Sequence, residues 1–201
     1  MGFFDFNKPE LKKDSLEAIL AVVYLIAVSG DGMKVEESKA LSFLYYWLLY
    51  ESKSKKSNHI PSLSSKSGKE FVRLLKDQKK LKSEIGAVDL FLSKRELKRE
   101  SFRREKIHVQ GWAGGQKERN IRNGYEECTE ILMRVNKEFI KSLNKGNPDK
   151  MRDKYYKLIT DKYNREITLK MADAVSRIDG LNEIELRNLI DLKMYWMADE
   201  I

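Results

Sequence analysis

From Leu16 to Val28 the chain is apolar around nearly the whole circumference of a helix. Leu16, Ile19, Leu20, Val23, Ile26 and Ala27 recur at three- and four-residue spacing, and Ala21, Val22 and Tyr24 fill the other sides. A helix with so little polar face belongs at the centre of a fold. The pattern predicts a helix from about residue 9, where Pro9 suits a first turn, to Ser29, ended by Gly30-Asp31-Gly32. A second helix is expected from about Val35 to Glu51, with Leu41, Leu44, Tyr45, Leu48 and Leu49 facing inward.

Residues 52–67 are rich in Ser and Lys without periodicity and read as an exposed loop. Ser67-x-x-Glu70 is a capping-box pattern ahead of Phe71, Leu74, Leu75 and Leu81, so a helix is expected to start there. Another helical pattern covers about 87–106, apolar at first and almost wholly charged from Lys94 to Lys106. Gly111-Trp112-Ala113-Gly114-Gly115 breaks it. A helix over about 117–144 carries Ile121, Tyr125, Cys128, Leu132, Val135 and Phe139 as one packing seam. Asn147-Pro148 starts a helix expected to run to about Arg177, and a last helix covers about Asn182 to Asp199. No segment alternates as a strand does. The expected fold is all-α: a single-domain helical bundle with core hairpins at about 9–51 and 148–199, a central insertion at about 52–122 and a connecting helix at about 117–144.

The two hairpins share a signature. Asp31-Gly32 is followed by Glu37 and Leu41, and Asp179-Gly180 by Glu185 and Leu189, at the same spacings. Both follow an apolar stretch ending in Ala-Val-Ser, Ala27-Val28-Ser29 and Ala174-Val175-Ser176. An internal repeat of this kind points to two related helical hairpins. An EF-hand is excluded: Glu37 and Glu185 lie five residues beyond the Gly, and Ala27, Ser29, Val175 and Arg177 stand where acidic ligands belong. Asp after one helix and before the next can cap the second, and Glu in a first turn suits the helix dipole. If the hairpins meet, Asp31, Glu37, Asp179 and Glu185 form an acidic patch whose hard oxygens suit a divalent cation such as Ca²⁺, Mg²⁺ or Mn²⁺.

Charge divides the chain. It carries 39 Lys and Arg against 31 Asp and Glu. Residues 52–122 hold 20 of the cations and 8 of the acids, so a basic middle is set in a mildly acidic framework. Lys94, Arg95, Lys98, Arg99, Arg103 and Arg104 fall at helical spacing, and Trp112 follows. This segment is a candidate surface for a partner protein, nucleic acid or an anionic membrane surface. The apolar run after Lys12-Lys13 contains Glu17 and is shorter than the roughly 20 residues of a membrane span. It reads as a buried helix of a cytoplasmic protein, with no transmembrane segment expected. The single Cys128 is expected to be buried. His59 and His108 stand alone, and Gly-x-Ser-x-Gly, Cys-x-x-Cys and His-Glu-x-x-His are absent, so a non-enzyme is expected.

The Asp-Gly pattern, with its preceding Ala-x-x-x and its following Glu and Leu, resembles the tellurite-resistance TerB family and the N-terminal segment of DjlA-type membrane co-chaperones. The matching positions are Asp31, Gly32, Glu37 and Leu41, then Asp179, Gly180, Glu185 and Leu189, over about residues 15–50 and 165–198. The resemblance implies helical hairpins related by an approximate two-fold axis, an acidic surface with metal-binding capacity, and a binding or scaffold role in bacterial stress response. The chain departs from the family at Ile178, before the second Asp-Gly, and at Lys34 and Asn182, where an apolar residue is usual. A different class is the alternative: a toxin-neutralising, immunity-type protein that binds its partner through the basic insertion.

Overall fold

The computed structural model describes residues 11–29, 32–51, 65–104 and 115–198, with the side chains of 51 and 94–104 excepted. The regular structure of these residues is wholly helical. The helices are α1 (Leu16–Val28), α2 (Val35–Tyr46), α3 (Lys66–Lys76), α4 (Gln78–Arg104), α5 (Gln116–Asn144), α6 (Pro148–Tyr156), α7 (Lys162–Ser176) and α8 (Glu183–Ala198). A π-helical turn, Trp47–Glu51, continues α2. None of these helices is long and apolar enough to cross a membrane.

α1 is the axis of the bundle, buried from Ala18 to Ala27 as its unbroken apolar circumference requires. It packs most extensively against α7, and α5, α6, α2 and α8 complete the ring around it. The inward seam of α5 follows the predicted periodicity, with Ile121, Cys128, Leu132, Val135 and Phe139 buried and Tyr125 partly buried against the core. Cys128 sits one turn from Gly124, and burial raises its thiol pKa to about 12. Gly124 lies against the backbone of α2: a Cβ there would meet Tyr46 Cα and Cβ at 3.0 Å.

Several boundaries differ from the expected ones, each for a local reason. α3 starts at Lys66 because Ser65, not Ser67, caps it, accepting the Gly68 N–H at 3.0 Å. α4 begins at Gln78, well before residue 87, since Asp77 caps it through the Lys80 N–H and buries Leu81, Ile85 and Val88 along one face. Asn147 precedes Pro148 without a side-chain cap bond; its Nδ2 donates to the Lys145 carbonyl instead.

The expected helix over 148–177 is two helices. Asp161 caps α7 by accepting the Asn164 N–H. Asp14, in the left-handed region at φ 50°, accepts from the N–H groups of Thr160 and Asp161, from the Thr160 hydroxyl and from Asn164 Nδ2. Backbone N–H groups spent on Asp14 are lost to a continuing helix. Partial burial pushes the Asp14 carboxyl up, but these hydrogen bonds together bring it below the ordinary aspartate value. Asp14→Ala is therefore expected to cost about 2 kcal/mol near neutral pH. The lowered pKa makes that contribution present above the usual aspartate range and lost as acid takes the pH below it. Urea melts of both proteins should show the gap closing in acid; a gap independent of pH would contradict the network.

Candidate functional site

The described residues flanking the two Asp-Gly signatures are arranged alike. α1 ends at Val28 and α7 at Ser176; α2 starts at Val35 and α8 at Glu183. Both pairs are 148 residues apart, the same separation as Asp31 and Asp179. Gly32 has φ 91° and Gly180 φ 118°, conformations that a side chain would strain. Glu37 Oε2 accepts the Lys34 N–H at 2.8 Å, and Glu185 Oε2 accepts the Asn182 N–H at 3.1 Å. The second copy closes the reciprocal bond, Glu185 N–H to Asn182 Oδ1 at 2.9 Å. The first copy cannot, because a lysine side chain has no acceptor. The Ala-Val-Ser match is shifted by one residue from this register: Ser29 corresponds to Arg177, and Ser176 to Val28.

The capping expectation holds for the two glutamates and fails for Asp179. Asn182 occupies the cap position of α8 and Lys34 that of α2. Asp179 instead crosses to the other hairpin, its Oδ2 3.0 Å from Lys34 Nζ. Beside it Asn188 Nδ2 donates to Ser29 Oγ, which donates to the Ile26 carbonyl, a second tie between the hairpins. Asp31 lies outside the described residues.

Glu37, Asp179 and Glu185 thus come together where the hairpins meet. Glu37 and Glu185 are 0% and 1% exposed, and the Asp179 side chain 12%. Burial first, then the negative charges of Asp179 and Glu185, raise the Glu37 pKa to about 7, against the opposing pull of the Lys34 N–H and ammonium. Glu37 Oε1 and Asp179 Oδ1 are buried with no hydrogen-bond partner, and the Asp179–Lys34 ion pair is close without the alignment of a hydrogen bond. Buried oxygens of this kind are normally satisfied.

The donor atoms are the hard oxygens that divalent cations prefer. Among the described residues, however, no three His, Cys, Asp or Glu side chains are grouped closely enough to hold an ion as they stand. The positive charge beside Asp179 is Lys34, a residue that capping and periodicity did not single out. The available signal was its place in the turn, at the position equivalent to Asn182 in the second copy.

Of the basic residues singled out, Lys94, Arg95, Lys98, Arg99, Arg103 and Arg104 lie on the continuous backbone of α4, and Trp112 lies outside the described residues. The described part of the basic segment forms a groove between α3 and α4 lined by Lys66, Lys69, Arg73 and Lys80, with Glu70 among them. Comparison of the chain with protein-family models, curated proteins and solved structures finds no match.

Proposed function

We propose that this chain is a non-enzymatic, TerB-like binding module whose two Asp-Gly hairpins, related as a structural repeat, form a cation-responsive junction. The observation that carries the reading is Glu37: fully buried, one oxygen without a partner, and beside two further carboxylates from the opposite hairpin. Keeping like charges together out of water is costly, and a stability-driven sequence would replace them. Glu37, Asp179 and Glu185, with Asp31 at the position equivalent to Asp179, are the residues that would hold Ca²⁺, Mg²⁺ or Mn²⁺. Such an ion supplies the charge that the pocket lacks. Because these residues come from both hairpins, the state of the pocket is transmitted to the α1–α7 interface and so to the surfaces on which a partner protein docks. The module's expected setting is bacterial stress response, as the motif resemblance implies.

Calorimetric titration with each of the three ions tests this. Binding is expected for the unaltered chain and is expected to be lost in the Asp31→Asn/Asp179→Asn double variant. No heat with any ion, or equal heat in the variant, removes the cation from the proposal.

A further inference from the structure

α8 carries apolar residues on two faces. Its buried face holds Leu189, Leu192 and Trp196. On another face Leu186, Ile190, Met194 and Met197 are exposed, at 44–60%. At 100° per residue these four fall within an arc of roughly 80°, a continuous stripe and not scattered surface apolar residues. The stripe borders an apolar groove between α7 and α8 to which Leu169 and Leu189 also contribute.

The repeat shows what such a face accommodates. In the 148-residue register, Ile190 corresponds to Ser42, Lys193 to Tyr45, Met194 to Tyr46 and Met197 to Leu49. That face of α2 is where α5 packs: Ser42 Oγ lies 3.6 Å from Cys128 Sγ, the Tyr45 hydroxyl reaches Glu127, and Gly124 rests on Tyr46. The first hairpin therefore holds a helix on this face. Among the described residues α7 and α1 pack most extensively on α8, and Tyr156 of α6 meets Tyr195 and Trp196, while the outer stripe stays exposed.

We propose that a second copy of this chain covers the stripe, with the two α8 helices antiparallel about a two-fold axis near Ile190. In that arrangement each copy supplies the helix that the other lacks, Ile190 meets its own counterpart, and Leu186 of one copy meets Met194 of the other. The charges agree. Arg187 and Asp191 are both exposed and flank the stripe on one side. Antiparallel two-fold pairing brings that flank against its equivalent, so Arg187 of one copy stands beside Asp191 of the other, about 3 Å apart along the helix axis. Two such ion pairs close the dimer. With one 16-residue helix contributed per copy, the interface is small and a weak, concentration-dependent dimer is expected. This inference does not depend on the cation.

Sedimentation of the full chain over a concentration series reaching hundreds of micromolar tests it. The expected result is a monomer–dimer equilibrium that Ile190→Glu/Met194→Glu abolishes without loss of helical circular dichroism. Arg187→Asp and Asp191→Arg should each weaken the dimer about tenfold, and the two together should restore it. Ile190→Cys should form a covalent dimer on mild oxidation, since the native Cys128 is buried. A monomer at every concentration, or an assembly that neither the Glu pair nor the charge swap alters, overturns the proposal. Because the charge swap leaves the apolar stripe intact, it decides the matter even if the Glu pair unfolds the chain.

Discussion

Replacing Glu37 by Gln is expected to stabilise the protein by about 3 kcal/mol at about pH 8 and to change little at about pH 4. Glu37 has a pKa raised from 4.5 to about 7 in the folded chain, so between those values the native state holds a proton that the unfolded state has released. A group shifted in this direction contributes its full stability below the unfolded pKa and loses it as the pH climbs through the folded one. The loss is complete above about pH 7, where Glu37 is an anion buried beside Asp179 and Glu185. Gln keeps the shape and the acceptor for the Lys34 N–H, and its amide can donate toward the neighbouring carboxylates. The difference between the denaturation curves of the two proteins reports Glu37 together with its coupling to Asp179 and Glu185. For a chain of this size the gain amounts to roughly 6–12 °C in Tm. A difference that is flat with pH, or of opposite sign, would show that the pocket does not hold Glu37 as described. Saturating divalent cation should narrow the gap by stabilising the unaltered chain alone, which links this measurement to the proposed role of the junction.

Gly124→Val should destabilise the protein by about 3 kcal/mol. A glycine inside a helix costs about 1 kcal/mol relative to alanine, so its presence in the middle of α5 needs a packing reason. That reason is Tyr46, whose Cα and Cβ stand 3.0 Å from where a Cβ on residue 124 would be. Tyr46 Cα is backbone and cannot rotate away. Alanine sets its helix propensity against this crowding and should come out near neutral, whereas the branched methyls of valine force α5 off α2. Urea denaturation measures the cost. A thiol reagent reports the displacement independently, because Cys128 is the only cysteine, lies fully buried one turn along α5, and should begin to react as α5 lifts. Wild-type stability with an unreactive Cys128 would contradict the packing.

What was legible in the chain is the part governed by nearest neighbours. The apolar circumference of α1 announced a central helix, the α5 seam named its own inward residues, and the two Asp-Gly signatures announced a helix end before and a helix start after each. The misread boundaries came from acceptors arriving from a distance. Nothing near residue 160 reveals that Asp14 will take the N–H groups of Thr160 and Asp161 and so divide a periodic stretch into α6 and α7. The early start of α4 was legible in Leu81, Ile85 and Val88, but a single intervening residue, Asp77, is a short separator between two helical patterns.

The candidate site divides in the same way. Capping by Glu37 and Glu185 is local, since each reaches a backbone N–H three residues back, and the sequence determined it without help from the fold. The sequence by itself likewise determined the helical class, the repeat register and the glycines at the two turns, because periodicity, caps and backbone sterics act over a few residues. Only the tertiary structure decided that α1 packs on α7 and thereby brings Glu37, Asp179 and Glu185 together. It also decided that Asp179 pairs with Lys34 instead of capping a helix, and that α5 covers α2 while the matching face of α8 stays open. Those outcomes depend on which surfaces meet across nearly 150 residues of chain, where burial and charge act through space and leave no period to read.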